Sequence, residues 1–308
     1  MSANMSGNTA SGKAAQASAQ GIGFLVMAVA CFAVLDTSVK YVGPFVPILV
    51  AVWFRYLFQA LAVSAVMLPK RGRSLWQTQH PRFQLLRGAL LLTVSGLSFL
   101  GVQFMPVGAF TAFIMTTPLV VTLLAALFLK EKVSRLRWSL VAGGLLGALL
   151  VVQPGKEVVG WASLVPLLMV LAYAWFQILT RKMAQTEDPM TMHFYTGWVG
   201  ALVTSVVLPL VWQSMPDAKI LALLCLIGLM GTVGHFFLIL AFARAPASTL
   251  TPYLYLQIGF AMLCGWWVFD HVPSTMEWSG VALITLCGTG AGWLTARESR
   301  LPLTPPEP

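Results

Sequence analysis

This sequence predicts an all-α integral membrane protein, with ten transmembrane helices in two inverted five-helix repeats. Three observations predict it. The 308 residues are 58% hydrophobic and 9% charged, whereas soluble domains carry about 25% charged residues. Ten apolar runs are each long enough to cross a bilayer, which takes about 20 residues at helical rise. One stretch also recurs at a fixed offset of 140 residues.

Residues 1–20, rich in Ser, Ala and Gly, read as a disordered cytoplasmic tail. Their basic character is weak and no small-residue cleavage site follows, so the first apolar run is taken as a span. The expected spans are 21–39, 46–68, 85–104, 107–129, 136–153, 160–180, 190–212, 219–242, 247–269 and 277–295. Residues 21–155 hold the first repeat, 156–296 the second, and 297–308 a second cytoplasmic tail. The breaks are short, so little folded mass lies outside the lipid bilayer.

The repeat joins Met105–Ala142 to the stretch that begins at Ala245. Pro106 falls on Pro246, Thr111 on Thr251, Leu123 on Leu263, Ser134 on Ser274, and Trp138 on Trp278. Both copies run from a Pro-marked entry through a long apolar stretch to a polar break, a Trp and a further apolar stretch. Related halves in a membrane chain are the mark of carriers. Five spans per half is an odd number, so the second half enters from the opposite side of the membrane.

Orientation follows Lys and Arg, which cytoplasmic loops concentrate. With the N-terminus inside, fifteen of them are cytoplasmic, from Lys13 and Lys70 through Arg87 and Arg137 to Arg300. Only Lys40, Lys156 and Lys219 fall outside. Both termini are therefore placed in the cytoplasm. The net charge of +9 is spread over these short breaks and not clustered on one face, so nucleic acid is not expected as a partner. Cys31, Cys225, Cys264 and Cys287 lie at unrelated spacings inside apolar runs, which indicates neither a disulfide framework nor a metal site.

The order of short motifs resembles the drug/metabolite transporter superfamily, in its EamA-like ten-helix branch. The resemblance runs from Gly21 to Trp293. It rests on Asp36–Lys40, Trp53-Phe-Arg55-Tyr, Arg87-Gly, Met105-Pro106, Thr117-Pro118-Leu119, Leu129-Lys-Glu131-Lys and Val268–Pro273. Where many members carry Glu after the fourth span of each half, this chain has Glu131 in the first and His271 in the second. The resemblance implies an inner-membrane carrier of small organic metabolites, without a cofactor, whose cavity lies between the halves. The main expectation is an exporter of an amino-acid-like, zwitterionic or anionic compound. The alternative is an importer of a vitamin or nucleoside-type cofactor, of the riboflavin or S-adenosylmethionine class.

Ionisable groups within spans are costly and so become candidates. Arg55 suits a carboxylate or phosphate through its planar fork, or else a structural ion pair. Asp36 and Lys40 share a helix face and either neutralise each other or take part in proton coupling. His193 and His235 are further proton-coupling candidates, or neutral rings bonded between helices. Trp53, Tyr173, Gln177, Tyr195, Tyr255, Gln257 and Thr117 are candidate substrate-binding residues, because polar atoms within lipid need partners. Gly143 with Gly147, and Gly288 with Gly292, form small-residue faces that fit helix contact within the chain or in a homodimer. An intramembrane enzyme is the remote rival: Gly96–Gly101 lacks nucleophile-elbow spacing, and Asp36 is the only acid well inside a span.

Overall fold

Helix ends fall where an apolar run meets a residue able to satisfy or replace free backbone groups. The computed structural model describes residues 2–104, 113–153, 164–212, 217–270 and 272–298, among which all regular structure is helical. In chain order, α1 is Ser2–Val42, α2 Ile48–Arg71, α3 Pro81–Phe104, α4 Thr117–Phe128, α5 Arg135–Val152 and α6 Leu164–Met183. Then come α7 at Pro189–Val207, α8 at Ala218–Arg244, α9 at Ala247–Leu254, α10 at Leu256–Phe269 and α11 at Thr275–Glu298. Helices occupy the described part of every expected span, and the ninth is split between α9 and α10 at Tyr255. By length and composition, seven of the described spans can cross a membrane, among them Gln16–Val42 within α1.

Side-chain caps set several starts. Ser134, Asp188 and Asp217 accept from the backbone N–H three residues on, at the heads of α5, α7 and α8. Ser274 and Glu277 exchange reciprocal bonds ahead of α11, a capping box. Two irregularities recur at the 140-residue offset. The turn at 115–116 preceding α4 matches the break at Tyr255. Lys130 and Asp270, each just past the helix that follows such a break, both take φ 54°.

Packing relies on small residues that let helices approach. Antiparallel α1 and α8 meet where Gly21 faces Ala245 and Gly234 faces Phe32. On α7, Gly200 takes the Tyr56 ring and Gly197 the backbone of Ala60, both from α2. Between α5 and α11, a Cβ on Gly147 would lie 2.8 Å from the Gly280 carbonyl. Gly143 faces Cys287 and Gly292 faces the Tyr253 hydroxyl, so these small-residue faces are used inside the chain. The remaining close pairs include α3 with α6, α1 with α10, α4 with α6, and α4 with α9.

These contacts define two ends. Gly21, Ala245, Arg181 and Arg137 mark the basic end. Val42, Lys219, Trp212 and Phe269 mark the opposite one.

Candidate functional site

Asp36 lies in the half of α1 toward the opposite end and is solvent-accessible although protein encloses it. The Gln257 amide, in the first turn of α10, donates to its Oδ2 at 2.8 Å. Arg55 of α2 lies within electrostatic reach of Asp36, and Tyr173 of α6 within reach of both. Arg55 is 9% exposed. Its Nη2 donates to Ser95 Oγ at 3.1 Å and its guanidinium lies 4.2 Å over the Tyr56 ring. The absence of a side chain at Gly231 makes room for its stem, since a Cβ there would come 2.8 Å from Arg55 Cγ. Four helices thus bring a carboxylate, a guanidinium, a phenol and a carboxamide within hydrogen-bond or electrostatic reach of one another. Such a set can bind a small molecule that carries charge and a flat ring.

Toward the basic end lies a layer of buried polar side chains. His235 is buried, with Nδ1 3.0 Å from the Gly231 carbonyl and its ring against Phe32 and Phe176. His193 Nδ1 meets Gln59 Nε2 at 3.1 Å, and the same amide donates to the His193 carbonyl. Arg87, counted from sequence among the cytoplasmic basic residues, is 1% exposed inside the bundle. Its Nε donates to Thr180 Oγ1 at 2.8 Å, and its Nη1 to the Met192 carbonyl and to Thr196 Oγ1. Phe176 packs beneath it, 4.9 Å away. A pattern of basic residues near span ends hid this one. The signal available was its place seven residues into a helix that starts at Pro81.

Gln177, Thr117 and Tyr255 are buried, and their side-chain polar atoms have no partner among the described residues. Three other candidates are engaged elsewhere. Trp53 Nε1 donates to Ser205 Oγ at 2.8 Å and its ring meets Trp212, at the opposite end between α2 and α7. The Tyr195 hydroxyl donates to the Trp76 carbonyl at 2.9 Å, at the basic end. Lys40 is exposed and lies 4.7 Å over the Phe269 ring. Asp36 is bonded by Gln257 instead, so α10 takes over both groups that helical spacing would have paired.

The basic end is tied shut by carboxylates that reach across the chain. Glu131 accepts from the backbone N–H of Ala247 and Ser248 and from Ser248 Oγ, at 3.1, 2.9 and 2.7 Å, capping α9. Arg181 Nε is 3.7 Å from it. Glu187 accepts from Gln79 and His80 N–H ahead of α3. Arg137 pairs with Glu298, and Arg71 with Asp188. At Asp188, outside the spans, burial opposes the charge. Hydrogen bonds from Arg71 and from the Thr191 and Met190 backbone outweigh that and hold its carboxyl below the usual range. His271, the expected counterpart of Glu131, lies outside the described residues, as do 105–112 of the repeated stretch.

Comparison with known proteins places this geometry. The model of the EamA-like transporter family matches residues 19–153 and 160–289. A riboflavin transporter of Rhizobium johnstonii is 32% identical over 237 residues, covering 76% of this chain and 77% of that protein. An S-adenosylmethionine uptake transporter of Rickettsia conorii is 28% identical over 267 residues, covering 86% and 89%. A solved crystal structure superposes with a TM-score of 0.77 over 92% of this chain and 98% of that one; at 15% identity it speaks for the fold alone.

Proposed function

Since this chain belongs to the EamA-like transporter family, and is thus a multi-pass membrane transporter and not an enzyme, we propose that it is an uptake carrier. Its cargo is a flat heteroaromatic cofactor or vitamin of the riboflavin or S-adenosylmethionine class. The accessible cluster of Asp36, Arg55, Tyr173 and Gln257 carries this reading. Its acid and base suit a cargo bearing either sign of charge, and its ring suits a planar system. Relatives named as uptake transporters favour import over the export expected from sequence.

The carrier works by alternating access between two inverted halves, 21–155 and 156–296. Three observations support this. The family model matches two separate stretches. The breaks and the left-handed residues recur at the repeat offset. Helix neighbours also map onto themselves when the halves are exchanged, α1 with α8 becoming α6 with α3. Spans that are each other's counterparts, α2 with α7 and α5 with α11, meet antiparallel, as a twofold axis in the membrane plane requires. An even number of expected crossings and the basic end support a reading with both termini in the cytoplasm of a bacterial inner membrane. The conformation described is then open outward and closed inward, with Asp36 poised for proton exchange once Gln257 lets go.

Proteoliposomes loaded with unlabelled cargo provide the test. Labelled riboflavin or S-adenosylmethionine should enter saturably and show counterflow. Entry of neither, or entry without counterflow, overturns the reading.

A further inference from the structure

Among the described interior amides, Gln177 alone has both side-chain ends unpaired. Gln59 is bonded to His193, Gln84 to Thr78 through Nε2 with its Oε1 unpaired, and Gln257 to Asp36. Gln177 is 0% exposed, and neither its Nε2 nor its Oε1 has a partner among the described residues. A buried amide with both ends unpaired is costly, whereas Thr180 and Arg181 on the same helix are bonded. Tyr173, one turn earlier on that face, borders the accessible cluster. Thr180, one turn later, is bonded to Arg87. Gln177 therefore lies between the Asp36–Arg55 cluster and Arg87.

The internal repeat says what is missing. At the 140-residue offset Thr117 falls on Gln257, while Asp36 falls on Phe176, next to Gln177. In the second half of the chain Gln257 carries its amide across to Asp36. Its counterpart Thr117 is on the helix packed against α6, and its Oγ1 is also buried without a partner among the described residues. Thr117 and Gln177, at or beside the corresponding positions, thus both keep buried polar atoms without a partner among the described residues.

We propose that Gln177, with Thr117 on the adjoining helix, is the specificity site for the cargo's heterocycle, and this rests on the uptake reading above. The carboxamide donates through Nε2 and accepts through Oε1, so it complements a ring edge that sets an acceptor beside a donor. The imide edge of a pyrimidinedione and the amino edge of an adenine both have this form. The site is sealed in the outward-open state. The cargo reaches it as the halves move, exchanging an unpaired amide for a paired one.

The test uses the full chain in proteoliposomes and a thermal-unfolding assay on the same preparations. Cargo is whichever of riboflavin and S-adenosylmethionine the wild type takes up, and the competitor is that molecule with its ring-edge donor methylated. Gln177→Leu should unfold no lower than wild type, raise KM tenfold or more, and lose discrimination against the methylated competitor. Gln177→Glu, which keeps the size but removes the donor, should also raise KM. Wild-type uptake with unchanged KM and discrimination in both variants overturns the proposal and leaves the uptake reading intact. A lowered unfolding temperature in Gln177→Leu that tracks the loss of uptake makes the amide structural, and also overturns it. Absence of wild-type uptake of either cargo removes both readings together.

Discussion

Replacing Glu131 with Ala should loosen the basic end in a way that can be read at four amides. The head of α9 cannot cap itself, because Pro246 precedes it and offers no side-chain acceptor. Its first N–H groups depend on Glu131 from the other half of the chain. Ala247 is 0% and Ser248 3% exposed, so water cannot substitute without local opening. Truncation strands two N–H groups and one hydroxyl. A stranded donor costs about 1–3 kcal/mol, and the three share one acceptor and relax together, so about 2–4 kcal/mol is expected in all. At 1.4 kcal/mol per decade that is roughly a 30- to 1,000-fold loss of protection. Hydrogen exchange of residues 247–250 in lipid nanodiscs measures it directly. Glu131→Gln keeps one acceptor oxygen and should fall between the two. Unchanged exchange in Glu131→Ala would mean that the carboxylate does not hold this end closed.

Arg55→Ala should abolish uptake while leaving expression and folding intact, and Arg55→Lys should not restore it, since an ammonium cannot reproduce the flat stack on Tyr56; retained uptake would make Arg55 structural. Gly200→Val drives a branched side chain into the Tyr56 ring and should cost about 1–3 kcal/mol of stability, seen as a lower unfolding temperature. Gly23→Ala, where a Cβ meets nothing within 4 Å, should stabilise by up to about 1 kcal/mol and serves as its control. Asp188 has a depressed carboxyl, so its contribution to stability is fully present above the unfolded value near 4 and is lost as pH falls through the lower native value. Asp188→Asn should flatten that part of the unfolding-temperature profile, and an unchanged acid limb would show that another carboxylate sets it.

The all-helical membrane class of the chain, and a helix in the described part of each expected span, were legible because bilayer thickness imposes a length that composition alone displays. In the sequence the repeat rests on paired residues such as Trp138 and Trp278, whereas the features of the fold that recur at the same offset, Lys130 with Asp270 and the turn at 115–116 with Tyr255, are backbone conformations that residue identity hides. Of the candidate site, Asp36, Arg55, Tyr173 and Gln257 come together because each is a polar group deep within an apolar run. Trp53 and Tyr195 met the same criterion but lie near span ends, where Ser205 and the Trp76 carbonyl take their polar atoms. Helical spacing paired Asp36 with Lys40, and tertiary packing overruled it by bringing α10 against α1. Arg87 was misread because charge near a span end has two uses, topology and interior bonding, and only the partners on α6 and α7 tell them apart.

The difference between the ends bears on how transport would be driven. Three ion pairs and two carboxylate caps close the basic end. A ligand shifts such an equilibrium only by as much as it binds one state better than the other. On the proposed reading, contacts already made in the conformation described, such as Gln257 with Asp36, must be exchanged rather than gained. A group with everything still to gain is the buried amide of Gln177. On that same reading, cargo that pairs with it on closure offsets part of what the Glu131 cap holds, whereas a molecule lacking the matching edge binds at Asp36 and Arg55 without opening the inner end. Selectivity on this account belongs to the conformational step more than to the first encounter, so a mismatched competitor should inhibit uptake while remaining poorly transported itself.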